Sequence, residues 1–230
     1  GVPSSAGVWS TFKTGTFTNF NAAWVPWYNL HKTYAGLRDA WLYGQSETAK
    51  TMFIAFCDWG INICSALSDA QMETMLAIEH GGMNEMFADA YQMTGNVKYL
   101  NAAKRFSHKT LLNSMAVSSD NLDNMHANTQ VPKAVGFQRI AEVSKELTYT
   151  KAAEFFWQTV TNKRSLALGG NSRKEYFPQA SACSDYVESV EGPESCNTNN
   201  MLKLTEDLFR IKPLAKYAEF YERALYNHIL

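Results

Sequence analysis

No apolar run in the sequence approaches the roughly 18 residues that a membrane-spanning helix needs, so nothing in it reads as a transmembrane segment. An excess of one charge sign is missing too. The 21 basic and 22 acidic residues leave a net charge of −1 with no long run of either sign, which withholds the electrostatic footprint of a nucleic-acid or anionic-membrane partner. Cysteine is scarce: Cys57, Cys64, Cys183 and Cys196 do not make a disulfide framework for a chain of 230 residues. Cys57 and Cys64 sit in the helix-like "FIAFCDWGINIC" with Cα atoms about 10.5 Å apart on one face. That is beyond disulfide reach, and both read as small buried hydrophobes. There is no CxxC, no HExxH, no histidine pair one helical turn apart, no GxSxG and no phosphate-binding glycine loop. The first residues, "GVPSSAGVW", lack a basic region followed by an apolar one, so either a signal peptide has been removed or there never was one.

Aromatics are plentiful, with 6 Trp, 11 Tyr and 13 Phe; they supply core area and also faces on which sugars stack. Laid against itself, the chain repeats. "TGNVKYLNAAKRF" and "KELTYTKAAEFF" superpose as Tyr99-Ala103-Phe106 and Tyr149-Ala153-Phe156, "KPLAKYAEFYERA" offers Leu214-Ala218-Tyr221, and "GQSETAKTMFIAF" is a looser first copy. Before each copy lies a second helical segment with a polar start: "YNLHKTYAGLRDAWLY", "EHGGMNEMFADAYQM", "HANTQVPKAVGFQRIAEV" and "CNTNNMLKLTEDLFRI". Apolar spacing at i, i+3/i+4 and i+7 supports helix throughout. The organisation is therefore four consecutive helical hairpins, the last two separated by a non-helical insertion over residues 165–195 that is rich in Gly, Ser, Pro and acid. A loop of that length among compact helices is usually functional. Strand signals are limited to the N-terminal "GVWSTFKTGTFTNF" and the insertion. Repeated helical hairpins build open solenoids or closed α/α toroids.

The polar residues collect at hairpin starts: His31; His80 with Asn84; His126 with Asn128 and Gln130; and Glu194, Cys196 and Asn199. Were these first helices to run parallel about one axis, their starts would converge on one end, where unpaired N–H groups and aromatics such as Trp24, Trp27 and Tyr28 would suit a neutral polyhydroxylated ligand. Glycoside chemistry needs a proton donor near the leaving oxygen. Among Glu175, Glu188, Glu191 and Glu194 of the insertion, Glu175 in "GGNSRKEYF" is flanked by aromatics that would exclude water and raise its pKa; a solvated loop carboxylate is the plain alternative. Glu194 and Cys196 supply one oxygen and one thiolate, fewer donors than the three or four that zinc requires. His108 and His228 do not share the hairpin-start position and read as structural.

Together the blocks "YNLHKTYAGLRDAW", "EHGGMNEMFADAYQMTGNVKYLNAAKRF", "HANTQVPKAVGFQRIAE", "FFWQTVTNKRSLALGGNSRKEYF", "ESCNTNNMLKLTEDLF" and "KYAEFYERALYNHIL" resemble the β-L-arabinofuranosidase family, glycoside hydrolase family 127 with its relative family 146, from about Trp24 to Leu230. The resemblance implies an all-α catalytic domain, an (α/α)6 barrel, of which residues 1–230 with about four hairpins are an incomplete part. It implies removal of L-arabinofuranose from plant glycans with retention, by a zinc-bound cysteine thiolate nucleophile and a glutamate acid/base. Glu175 matches the acid/base, Glu194 and Cys196 match two zinc ligands, His31 and His80 match positions lining the sugar site, and Asn84, His126 and Gln130 lie in the matching substrate-side blocks. An oligo- or polysaccharide substrate and a secreted or periplasmic bacterial enzyme, with a cytoplasmic one as the alternative, follow from the same likeness.

One departure stands out. The family's other two zinc ligands are adjacent cysteines, one of them the nucleophile, and no adjacent pair occurs here. The chain is therefore expected to be a fragment that is inactive alone, with Cys183 a poor substitute ligand. Two other readings stay open: a non-catalytic carbohydrate-binding helical repeat, and a metal-free α/α-toroid lyase or unsaturated glycuronyl hydrolase, which would tolerate loss of the Cys196 thiol.

Overall fold

The structure is a computed structural model that describes residues 6–20, 23–182 and 187–230. Among these residues there are eleven α-helices, and the only β-pairing is three isolated bridges. Two compact units divide the chain, Gly1–His108 and Lys109–Leu230. Each contains two α/α hairpins, the building block of an (α/α)6 barrel, so the expected all-α class and all four hairpins are present.

The first unit holds α1 (Ala6–Thr14), α2 (Pro26–Leu42), α3 (Glu47–Ile63), α4 (Asp69–Ile78), α5 (Met83–Thr94) and α6 (Val97–Arg105). α2 pairs with α3 and α5 with α6. Local chemistry sets the corners. Ser46 caps α3 by accepting from Ala49 N–H at 3.2 Å, and the α5–α6 turn runs through Gly95 at φ 67° to Asn96, which accepts from Lys98 N–H at 3.1 Å. Ser68 and Gln71 close a capping box at the start of α4. The core is aromatic: Tyr34 stacks on Phe56 at 4.1 Å, and Trp27 meets Phe106 edge-on at 5.0 Å. Burial pushes the Cys57 and Cys64 thiols up, Cys64 to about 12, so both are inert small core residues as read from their spacing.

The N-terminal stretch corrects the strand reading: residues 6–14 of "GVWSTFKTGTFTNF" are α1. Its Thr and Phe content favours strand locally, but Val8 and Phe12 are buried and Trp9 sets its ring on Phe12, Trp27 and Trp59. Tertiary burial of a helical face overrides the propensity.

The second unit holds α7 (Lys109–Ala116), α8 (Ala127–Ser144), α9 (Leu147–Lys163), α10 (Ser195–Ile211) and α11 (Ala215–Ala224), ending in a π-helical turn over Leu225–Ile229. α8 pairs with α9 and α10 with α11, while α8 also lies along α10. Tyr149, Ala153 and Phe156 are buried as the repeat predicts, and so are Tyr99, Ala103 and Phe106 in the first unit. The register of the last copy is different. Tyr217, Phe220 and Ala224 are buried, whereas Leu214 takes the N-cap position and Ala218 is exposed. The reason is the Trp157 ring, which contacts Tyr217 at 4.7 Å and Phe220 at 5.7 Å and so chooses the inward face.

One buried ion cluster ties α2 to α5. Arg38 donates to Glu85 and Asp89 at 2.8 Å each, and to Asp39 at 2.8 Å. Burial alone would lower the Arg38 pKa, but the Glu85 and Asp89 carboxylates outweigh it and hold the guanidinium charged. Removing one partner of such a cluster strands the others. Arg38→Met is therefore expected to cost about 3 kcal/mol, read as a lower midpoint with unchanged slope in urea denaturation.

Candidate functional site

In the second unit the insertion is folded onto the start of α8. Phe177 N–H donates to Met125 O at 2.9 Å, Asn124 N–H to Phe177 O at 2.9 Å and Ala127 N–H to Glu175 O at 2.8 Å. Residues 173–176 form a tight hairpin in which Arg173 N–H donates to Tyr176 O at 2.9 Å and Tyr176 N–H to Arg173 O at 3.0 Å. Its two central residues, Lys174 at φ 49° and Glu175 at φ 73°, are both left-handed, the pattern of a type I′ turn. Asn-Gly is the preferred pair there; this sequence places Lys-Glu instead. Ser172 adds a third left-handed residue at φ 83°. Side chains in that region are strained by about 1–3 kcal/mol each, and such strain gathers at functional sites.

The turn holds Glu175 against His126. His126 occupies the N-cap of α8 and its Nδ1 accepts from Thr129 N–H at 3.2 Å, which puts the ring proton of the neutral imidazole on Nε2. Nε2 stands 3.7 Å from Glu175 Oε2, longer than a hydrogen bond. The His126 ring meets Tyr176 edge-on at 5.3 Å. The aromatics flanking Glu175 do not enclose it, contrary to the sequence-based expectation: its side chain is 60% exposed. Phe177 is turned into the core against Phe156 and Tyr176 toward His126, so neither ring covers the carboxylate.

Glu194 and Cys196 stand at the start of α10. Glu194 takes the N-cap position, yet its carboxylate makes no capping hydrogen bond. Cys196 is exposed, and its thiol is pushed up by burial of the sulfur first, then by the Glu194 carboxylate and further by Glu175, while the N–H groups of Asn197 and Cys196 pull it down. Glu175, nineteen residues before Glu194, is thus brought close enough to act on the Cys196 thiol. The Cys196 thiol and Glu194 carboxylate at the start of α10 are donors of the type zinc accepts, although no three His, Cys, Asp or Glu side chains converge as a metal site among the described residues. Cys183 lies outside them. The starts of α8 and α10 are joined by Asn200, which donates to Asn128 Oδ1 at 2.8 Å. One turn below His126, the Oε1 of Gln130 is buried with no donor among the described residues.

Residues the sequence did not single out hold this arrangement. Arg164, 1% exposed, donates to Asp120 at 2.8 and 2.7 Å, to Asp123 at 2.7 Å and to Pro178 O. Asn197 donates to Asn171 Oδ1 at 2.6 Å, and His228 bridges Thr198 Oγ1 at 2.8 Å and Pro193 O at 3.2 Å. Gly192, at φ 130°, lets the chain pass Ser172 O, which an added Cβ would approach to 2.8 Å. Arg164 pairs with aspartates 44 and 41 residues earlier in the chain, a contact with no local mark in the sequence.

In the first unit the starts of the two hairpins also meet. Glu79, buried, accepts from Trp27 N–H at 2.8 Å and Tyr28 N–H at 3.2 Å, capping α2 where Val25 cannot. His80 lies on Tyr28 at 4.4 Å, and Lys32 covers the same ring at 4.5 Å. His31 rests on Gly82, where a Cβ would come within 2.5 Å of Nε2, so "EHGG" supplies both a cap and the space for His31. Asn84 is buried with Oδ1 accepting from Glu85 N–H at 3.1 Å.

The turn gives a direct test of its strain. Glu175→Gly is expected to stabilise the protein by about 1 kcal/mol, seen as a raised denaturation midpoint, whereas an unstrained surface glutamate replaced by glycine would lower it.

No curated protein matches the chain. Among solved structures, a GH127 β-arabinofuranosidase, BT3674, is similar with a TM-score of 0.58 and 19% sequence identity, covering 89% of this chain and 34% of that one. At that identity the likeness carries the fold alone. The family profile described as the β-L-arabinofuranosidase, GH127 catalytic domain matches residues 5–230. Nearly the whole chain is spanned, and the chain belongs to the GH127 β-L-arabinofuranosidase catalytic-domain family.

Proposed function

We propose that the protein is a glycoside hydrolase that removes β-L-arabinofuranose, or a closely related sugar, from plant glycans with retention, and that Glu175 is its acid/base. The observation that carries the reading is the Glu175 turn. A carboxylate stands where the backbone asks for glycine, tied by main-chain bonds to α8 and aimed beside His126. Glu175 would give its proton to the leaving oxygen and then take one from the attacking water. His126, its ring proton on Nε2, stands 3.7 Å from the Glu175 carboxylate, and Gln130, buried one turn below, is assigned to the substrate side by its family motif. His31, His80 and Asn84 are assigned to sugar binding by their family motif.

Glu194 and Cys196 fit two ligands of a zinc site, one oxygen and one sulfur, with the remaining donors in parts of the domain that this chain, which covers 34% of the similar structure, does not span. Zinc bound there would supply the positive charge that lowers the pKa of a coordinated thiol. Glu194 is suited to this because its carboxylate makes no capping bond on α10. The nucleophile is a cysteine thiolate outside residues 1–230, and the enzyme acts in a secreted or periplasmic setting. The donor chemistry of the Glu194–Cys196 pair favours this over the non-catalytic binding reading.

Two measurements on the full-length protein test the proposal. Glu175→Gln should cut turnover of glycosides with poor leaving groups by about 100-fold or more while sparing activated aryl glycosides; equal loss on both sinks the acid/base role. Metal analysis should find about one zinc per chain, lost on Cys196→Ser. Zinc retained by that variant would remove Cys196 from the ligand set.

A further inference from the structure

Beside the Glu175 turn lies a cavity of about 300 Å³, the lower end of the range for small-molecule sites. Its walls include Lys174 and Tyr176, the two residues that flank Glu175, together with Asn124, Arg173, Pro178 and Gln179. The segment splits its two aromatics. Phe177 is fully buried, while Tyr176 is 47% exposed, its ring plane set by the edge contact with His126. The cavity therefore offers an aromatic face and a proline, with two carboxamides at positions 124 and 179. The Lys174 ammonium is answered within the protein by Glu191 at 3.0 Å, and the Arg173 guanidinium, the other cation of the lining, also has a partner within the protein. A flat aromatic face with neutral donors and acceptors around it is the chemistry that recognises an uncharged sugar ring.

We propose that this cavity is the leaving-group subsite, holding the neutral glycosyl unit from which the arabinofuranose is cleaved, with Tyr176 as its stacking platform. The inference rests on Glu175 being the acid/base. When the bond between the anomeric carbon and the glycosidic oxygen breaks, the electron pair stays on that oxygen and the Glu175 proton joins it, so the oxygen leaves as a hydroxyl of the departing unit. The departing unit must then lie within reach of Glu175, and three other residues of its turn, Arg173, Lys174 and Tyr176, line the cavity. Because the turn is pinned to α8 by Ala127 N–H and Phe177 N–H, the platform and the proton donor are held in fixed relation.

The test compares full-length wild-type protein, Tyr176→Ala and Tyr176→Phe on two substrates, a β-L-arabinofuranosyl disaccharide and β-L-arabinofuranosyl fluoride. Fluoride has no body to stack and leaves without a proton donor. Tyr176→Ala is expected to lower kcat/KM for the disaccharide about tenfold and to leave the fluoride within about twofold, which also certifies that the variant is folded. Tyr176→Phe, which keeps the ring, should restore most of the disaccharide rate. Equal loss on both substrates, or no loss on the disaccharide, overturns the subsite. A wild type that cleaves the fluoride but not the disaccharide overturns the assignment of a neutral glycosyl unit. A wild type that turns over neither overturns the glycosidase reading itself, a distinct failure.

Discussion

Three main-chain hydrogen bonds between residues 124–127 and 175–177 carry the candidate site. They do two jobs at once. Ala127 N–H is among the first amides of α8, which have no partner inside the helix, and the Glu175 carbonyl satisfies it at 2.8 Å. The same bond fixes the main chain of a residue whose φ of 73° would otherwise relax. Net hydrogen-bond contributions of about 1 kcal/mol each are comparable to the strain of the left-handed residues, so the pairing is of the size needed to hold the turn open. With the carbonyl committed to the helix, the side chain of Glu175 is left to project outward.

A second set of contacts keeps the insertion from sliding. Arg164 reaches Asp120, Asp123 and the carbonyl of Pro178 from a fully buried position. A planar fork with five donors can serve three acceptors in fixed directions, which a lysine cannot do. On the other side Asn171–Asn197 and the Thr198–His228–Pro193 chain fasten the loop to the first turn of α10. The candidate carboxylate Glu175 is thus carried by a loop, but one whose polar atoms are spent on rigid helices, the condition under which loop residues hold a fixed geometry.

Much of this was legible in the sequence, for reasons that differ from element to element. The four hairpins were visible because each buries one face, and periodic burial leaves a trace at Tyr99-Ala103-Phe106 and Tyr149-Ala153-Phe156. The helices α4 and α7 lie outside the repeated pairs, and α1 carries the Thr and Phe content of a strand; α4 alone has a plain signal, the Ser68–Gln71 capping box. The inward face of α11 was misjudged because Trp157, on a different helix, selects it. At the site, the residue types of Glu175, Glu194 and Cys196 were readable, but the type I′ turn was not. Its usual mark is Asn-Gly, and here Lys174 and Glu175 stand where that pair would have announced it.

Glu79 and Glu194 show why residue type alone cannot separate scaffold from chemistry. Both are carboxylates beside the start of a hairpin's first helix, where the dipole favours negative charge. Glu79 spends both oxygens on the amides of Trp27 and Tyr28 and is buried, a structural cap supplied to α2 from elsewhere in the chain. Glu194 holds the N-cap position itself and forgoes the bond. The consequence falls on Cys196, whose thiol is raised by burial and by the Glu194 and Glu175 carboxylates. At neutral pH that thiol stays protonated unless a positive charge is brought to it. Both carboxylates thus oppose ionisation of the Cys196 thiol, while the amides of Asn197 and Cys196 favour it, so the same helix start pulls the sulfur in two directions.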